Sequence, residues 1–229
     1  MKATKNLKKS LVKSIRQNFL LATFAVPVSN PDGWYSLKFD KIKANQVVHS
    51  AEGLTVNVDS SASPLIYKLP QMITVSKIKT TGVITGNLNL KTDDIQGEKK
   101  TDDFQFRLGL VLKGEKRLRS LQRLISPKWI TTLFDLAPKD QGIDKIEFYN
   151  IASKSNGPKW KDRQHPLSDL LTENVIASQG EGVFDLSFDL PAERQVVAVW
   201  LSIDGDQTLS KYSVMIRTID FNPETANTK

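Results

Sequence analysis

From Trp34 onward the chain alternates apolar and polar side chains, and a period of two commits a segment to a half-buried strand rather than a helix. Leu54-Thr55-Val56-Asn57-Val58, Phe104-Gln105-Phe106-Arg107-Leu108 and Val183-Phe184-Asp185-Leu186-Ser187-Phe188-Asp189-Leu190 all show it. Residues 34–39, 65–69, 80–90, 145–151 and 213–221 are further strand candidates. Residues 196–203 are almost wholly apolar, which predicts a strand inside a sheet with both faces covered. Turn chemistry separates these runs, as in Asn30-Pro31-Asp32-Gly33, Ser155-Asn156-Gly157-Pro158 and Gln179-Gly180-Glu181-Gly182.

Two segments depart from the alternation. In 115–125, Leu118, Leu121 and Ile125 share a helical face, and Ser126-Pro127 ends the helix. Leu167, Leu170, Leu171 and Val175 predict a second short helix across 167–177. Neither is long enough to build a helical layer. The expected fold is therefore mostly β: an antiparallel β-sandwich of jelly-roll type with one or two short helical insertions. A single domain is expected over 31–222, behind an N-terminal segment 1–30 and before a C-terminal tail 223–229.

Composition removes several chemistries. The 229 residues include no cysteine, which excludes disulfides, a thiol nucleophile and any Cys-ligated metal. Two histidines, His49 and His165, leave little for histidine-based metal or acid–base work. Of the 32 Lys and Arg, six (Lys2, Lys5, Lys8, Lys9, Lys13 and Arg16) lie in residues 1–31 without an acid among them. The body is left with 26 basic against 25 acidic residues, so the net charge of +7 belongs to the tail. A near-neutral body argues against nucleic acid, which needs a basic face to displace counterions from phosphate.

The tail admits three readings. A basic stretch to Arg16 followed by Phe19-Leu20-Leu21-Ala22-Thr23-Phe24-Ala25-Val26-Pro27-Val28 has the order of an export signal, with Thr23 and Ala25 as a small-x-small cleavage pattern. This is the favoured reading, and it places the protein in the periplasm or outside the cell. Alternatively, Leu7, Leu11, Ile15 and Phe19 recur every four residues, as in a basic amphipathic helix lying on a membrane. A plain basic terminus is the third. Membrane contact is expected only through this segment, if it is not cleaved.

Candidate sites are few. Strand 196–203 runs into Asp204-Gly205-Asp206, whose carboxylates offer hard oxygen ligands for calcium. The preferred alternative is a turn in which Asp204 and Asp206 bond their own backbone, with Thr208 and Ser210 satisfying the rest. Trp129, Tyr149 and Trp160, with Trp34, fall in or beside loops, where flat rings can stack on a sugar face; tryptophans closing the ends of the core are the competing reading. Trp200 is expected in the core. Lys113, Lys116, Arg117, Arg119 and Arg123 form either an anion site or a solvated helix face, the latter preferred. His165-Pro166 suits a structural loop better than proton transfer. No pair of acids can be assigned to glycoside hydrolysis, because that chemistry depends on separation in space.

The stretch from Val196 to the acidic turn and Ser210, together with Ser60-Ser61-Ala62-Ser63-Pro64-Leu65-Ile66-Tyr67, resembles a bacterial family of exported proteins known only as a domain of unknown function. The resemblance implies a galactose-binding-like jelly roll and carries no catalytic residues. The expected function is a non-enzymatic binding module of the cell envelope recognising carbohydrate or a glycan-like ligand, with no cofactor unless calcium occupies the acidic turn. The alternative is an accessory subunit that binds other envelope proteins through residues 113–135, where Trp129, Ile130, Leu133 and Phe134 give an apolar end.

Overall fold

A computed structural model describes residues 21–223. The amphipathic pattern of residues 1–19 lies outside them. Eleven strands and two short helices follow in chain order: β1 (Phe24–Ala25), β2 (Trp34–Ser36), β3 (Gln46–Ser50), β4 (Gly53–Asp59), β5 (Leu65–Thr85), β6 (Phe106–Gly114), α1 (Ser120–Ile125), α2 (Lys128–Asp135), β7 (Gly142–Ala152), β8 (Asp162–Gln164), β9 (Leu171–Ser178), β10 (Gly182–Ser202) and β11 (Lys211–Phe221). The mostly β, antiparallel sandwich with helical insertions is the fold that the alternation implies. One pair, β7 with β9, is parallel.

All the strands belong to one hydrogen-bonded path, β3-β4-β11-β5-β10-β6-β7-β9-β8, with β1 beside β11 and β2 beside β5. Two strands of 21 residues each, β5 and β10, bend that path into two layers. Their pairing slips between Asp189 and Arg194 and again between Val196 and Ala198. Pro191 lies in the first slip and Pro70 opposite the second. Proline has no N–H to give to a ladder, so it is tolerated at bulges, where strands can cross from one sheet to the other. The separate candidates 65–69 and 80–90 are thus parts of one bent strand, as are 183–190 and 196–203.

Between the layers lies the larger core, built from Val56 and Val58 on β4, Phe106, Leu108 and Leu110 on β6, Val199 and Leu201 on β10, and Val214 and Ile216 on β11. A second core covers the opposite face of the layer formed by β6, β7 and the end of β10. There Ile66, Val111, Phe148, Ala198 and Trp200 pack beneath Leu133 and Phe134 of α2. This double covering is why residues 196–201 read as a continuous apolar run; all six are buried.

Three expectations need correction. The predicted helix across 167–177 is strand β9: Leu170 reaches the second core, Leu167 stays exposed, and pairing with β7 and β8 satisfies the backbone. Helical structure in the insertion covers Ser120–Ile125 rather than 115–125, and Lys128–Asp135 forms a second helix. The sandwich also begins before residue 31. Phe24 and Ala25 pair with Phe221 and Asp220, the Thr23 hydroxyl donates to the Asn222 carbonyl at 2.9 Å, and Val26 and Val28 are buried in the core. A cut after Ala25 would remove β1.

Gly82 marks a close approach of neighbouring strands at this core. A Cβ there would lie 2.3 Å from the Met215 carbonyl oxygen and 2.4 Å from the Phe184 ring. Gly82→Ala is expected to cost about 1–3 kcal/mol through overpacking, read as a lower urea midpoint. An unchanged midpoint would contradict this packing.

Candidate functional site

Alternation along β6 turns Phe106 and Leu108 into the main core and Arg107 to the other face. In a one-sided sheet that position would be wet. Here the face is covered, and Arg107 is buried among carboxylates. Its Nη1 lies 3.2 Å from Asp204 Oδ2, and its Nη2 lies 3.0 Å from Asp102 Oδ1 and 3.4 Å from Glu173 Oε1. Glu173 on β9 stands opposite Arg163 on β8, and Arg163 Nε reaches Glu173 Oε2 at 2.6 Å. Arg163 Nη2 also meets Asp102 Oδ1 at 2.9 Å. The Arg107 guanidinium lies over the Phe104 ring at 4.3 Å, and that of Arg163 over Trp160 at 4.1 Å.

His165 completes the cluster. Its Nδ1 accepts from the Leu167 N–H at 3.2 Å, so Nε2 carries the hydrogen that it donates to Asp102 Oδ2 at 3.0 Å. Asp102, His165 and Glu173 bring ligand atoms within 4.8 Å of one another. Both carboxylates already serve the guanidinium groups of Arg107 and Arg163, so a metal there would have to displace them.

Four carboxyl groups, Asp102, Asp103, Glu173 and Asp204, share two guanidinium groups, and the three aspartates respond differently. Burial raises Asp102, but its bond to His165 and the two nearby guanidinium groups win and hold it below the ordinary carboxylate value. Asp103 is raised, chiefly by burial, although Thr208 donates to its Oδ2 from both backbone and hydroxyl at 2.7 Å. Asp204 is pushed up to about 7. Burial is the main cause, and Arg107, divided among three acids, cannot offset it.

The acidic turn follows from this arrangement. Asp204 is buried, with Arg107 and the Ser202 hydroxyl on its oxygens, the latter at 2.9 and 3.1 Å. A calcium ion bound by Asp204 and Asp206 would compete with Arg107 for the first of these. The rest of the turn is fastened by Gly205 N–H to the Ser61 carbonyl and by Ser210 N–H to the Gly205 carbonyl.

The aromatic candidates do not meet. Tyr149 is only 2% exposed and packs against Phe188 in the main core. Trp160 is wedged between Phe104, Arg163 and the backbone of Gly97. Trp34 belongs to β2 and donates its indole N–H to the Pro27 carbonyl at 2.8 Å. Trp129, on α2, does line a cavity of about 190 Å³, together with Phe39 and Phe148, where Arg107, Glu173, His165 and Ser202 supply the polar end. A second cavity of about 440 Å³ also touches His165, bounded by residues 97–100, Arg163, Leu167 and Gln207. The ion network forms a wall between them. Sequence reasoning passed over Arg107, Asp102, Arg163 and Glu173; the lone charge at Arg107 in a strand with two dry faces was the available signal.

No family model and no curated protein sequence matches the chain, and the resemblance to exported proteins of unknown function gains no match. Solved structures give only distant likenesses. The chain is similar to the xylan-binding module CBM15 at 10% identity and a TM-score of 0.34, covering 87% of this chain and 95% of that one. It is similar to the K2 cleaved adhesin domain of Lys-gingipain at 12% identity and a TM-score of 0.34, covering 87% and 99%. A xylanase 10C from Cellvibrio japonicus gives 14% identity and a TM-score of 0.30, covering 90% of this chain and 29% of that one. At these scores no residue takes a role from them.

Two outcomes follow from the network. Arg107→Leu leaves buried acids without their cation and is expected to cost about 3–5 kcal/mol in urea unfolding; a loss below about 1 would contradict the pairing. In the unfolded chain Asp204 ionises near 3.8, whereas the folded carboxyl keeps its proton to about 7. The folded state therefore binds more protons across that window, and its stability falls as pH rises through it. Melting temperatures at about pH 5 and about pH 8 should drop further in the wild type than in Asp204→Asn, which has no proton to lose there. Equal drops would refute the assignment.

Proposed function

We propose that the chain is a non-enzymatic module of the cell envelope, periplasmic or secreted, and that it recognises a glycan at the cavity beneath Trp129. The observation that carries this is the pairing of an aromatic wall with a hydrogen-bonding edge. Trp129 and Phe39 offer apolar rings to the C–H face of a sugar, while His165, Ser202 and the ion network border the same space. The preformed ion pairs hold that edge in place before a ligand arrives, which lowers the ordering cost of binding.

A binding role also suits the state of the acids. Glycoside hydrolysis needs one carboxyl as acid and another free as base or nucleophile. Here Asp102 and Glu173 are held by guanidinium groups, and Asp204 is buried beside Ser202.

The test is a glycan array probed with the full chain, followed by titration calorimetry on the best ligand. Trp129→Ala should weaken binding roughly tenfold, and Trp129→Phe should restore part of it. Absence of any glycan ligand, or equal affinity in Trp129→Ala, would overturn the proposal.

A further inference from the structure

Helix α1 is the most anomalous surface of the molecule. Leu121, Leu124 and Ile125 are 72%, 83% and 80% exposed, and the helix buries none of its residues. Positions i, i+3 and i+4 share one face of a helix, so the three side chains form one apolar patch rather than scattered exposures. Leu118, expected on one face with Leu121 and Ile125, is drawn partly into the second core. Among the described residues, nothing covers the other three.

The surroundings of the patch are basic. Residues 113–135 hold six Lys and Arg against Glu115 and Asp135. Arg117, Arg119, Arg123 and Lys128 are exposed. Arg123 is paired with Asp135 at 2.6 Å, while Arg119 and Lys128 have no carboxylate within salt-bridge distance among the described residues. An apolar tip ringed by cations matches the layered chemistry of an anionic bilayer, with acyl chains beneath negatively charged headgroups.

From this juxtaposition we infer that α1 is an interfacial anchor, seating Leu121, Leu124 and Ile125 among the lipids of an anionic membrane while Arg119 and Lys128 meet its headgroups. A second copy of the chain is a poor occupant, because it would bring the same positive ring against this one. A stable protein interface is also poorly served: three aliphatic side chains expose roughly half of the ~800 Å² that each partner contributes to a standard interface. Shallow lipid insertion needs no such area, since headgroup attraction adds to it. Peripheral docking of this kind requires no spanning helix, and among the described residues none is long and apolar enough to cross a membrane.

The experiment is cosedimentation of the full chain with phosphatidylglycerol–phosphatidylcholine vesicles and with pure phosphatidylcholine vesicles. The wild type should bind the anionic vesicles and lose binding as salt rises. The triple variant L121S/L124S/I125S should bind the anionic vesicles about tenfold less or weaker, with its melting temperature unchanged because these side chains pack against nothing. Arg119→Glu with Lys128→Glu should lower binding to anionic vesicles and leave the phosphatidylcholine baseline as it was. Anionic binding that survives the triple substitution would assign it to the basic N-terminal segment and overturn the inference. So would a wild type that ignores vesicles but self-associates, or captures an acidic protein, through the same three residues.

Discussion

The buried guanidinium of Arg107 is the interaction around which one end of the sandwich is assembled. It stands on β6 at a position that strand geometry turns away from the main core, and the second core keeps that face dry. A charge so placed must be paired, and its partners come from three separate places: Asp102 in the loop before β6, Glu173 on β9 and Asp204 after β10. Asp102 and Glu173 then hold Arg163, which fixes the three-residue strand β8 at the sheet edge. The pairing also guards register. A one-residue slip of β6 would turn Arg107 into the apolar core and Phe106 out of it.

What gives Arg107 this setting is the unequal covering of the two layers. The layer of β3, β4 and β11 buries one face, and its strands alternate accordingly, as the burial along β4 and β11 does. The layer of β6, β7 and the end of β10 is dry on both faces because α2 and the loops beside it lie over it. Strands β5 and β10 belong to both layers. Each is half alternating and half apolar, with a proline near its bend.

That division decides how much the sequence could reveal. The strands with one wet face, 54–58 and 183–190, were legible because alternation is a direct record of one-sided burial. Residues 196–203 were legible for the opposite reason, since only two-sided burial tolerates so apolar a run. Segment 167–177 was misread because Leu167, Leu170, Leu171 and Val175 fit a helical face, while the partner that makes it a strand, β7, is some twenty-five residues away in sequence. The site was less legible still. Tyr149 and Trp160 resembled loop aromatics, yet tertiary packing buries one and clamps the other under Arg163. Neither the partners of Arg107 nor the cavity beneath Trp129 has a local signature, because their residues converge from separate stretches spread between Phe39 and Asp204.

The two helices of the insertion show how one apolar stretch can meet two fates. Both carry apolar residues at helical spacing, and both are too short to persist without support. In α2 that support is tertiary: Leu133 and Phe134 enter the second core, and this anchorage fixes Trp129 over the cavity. In α1 it is local, from the Gln122 side chain accepting the Arg119 N–H at 2.9 Å and from the Arg123–Asp135 pair that ties it to α2. The core gains nothing from Leu121, Leu124 and Ile125. Three large aliphatic side chains kept in water on so weakly supported a turn lower solubility without aiding the fold, so their placement is explained by something outside the described chain.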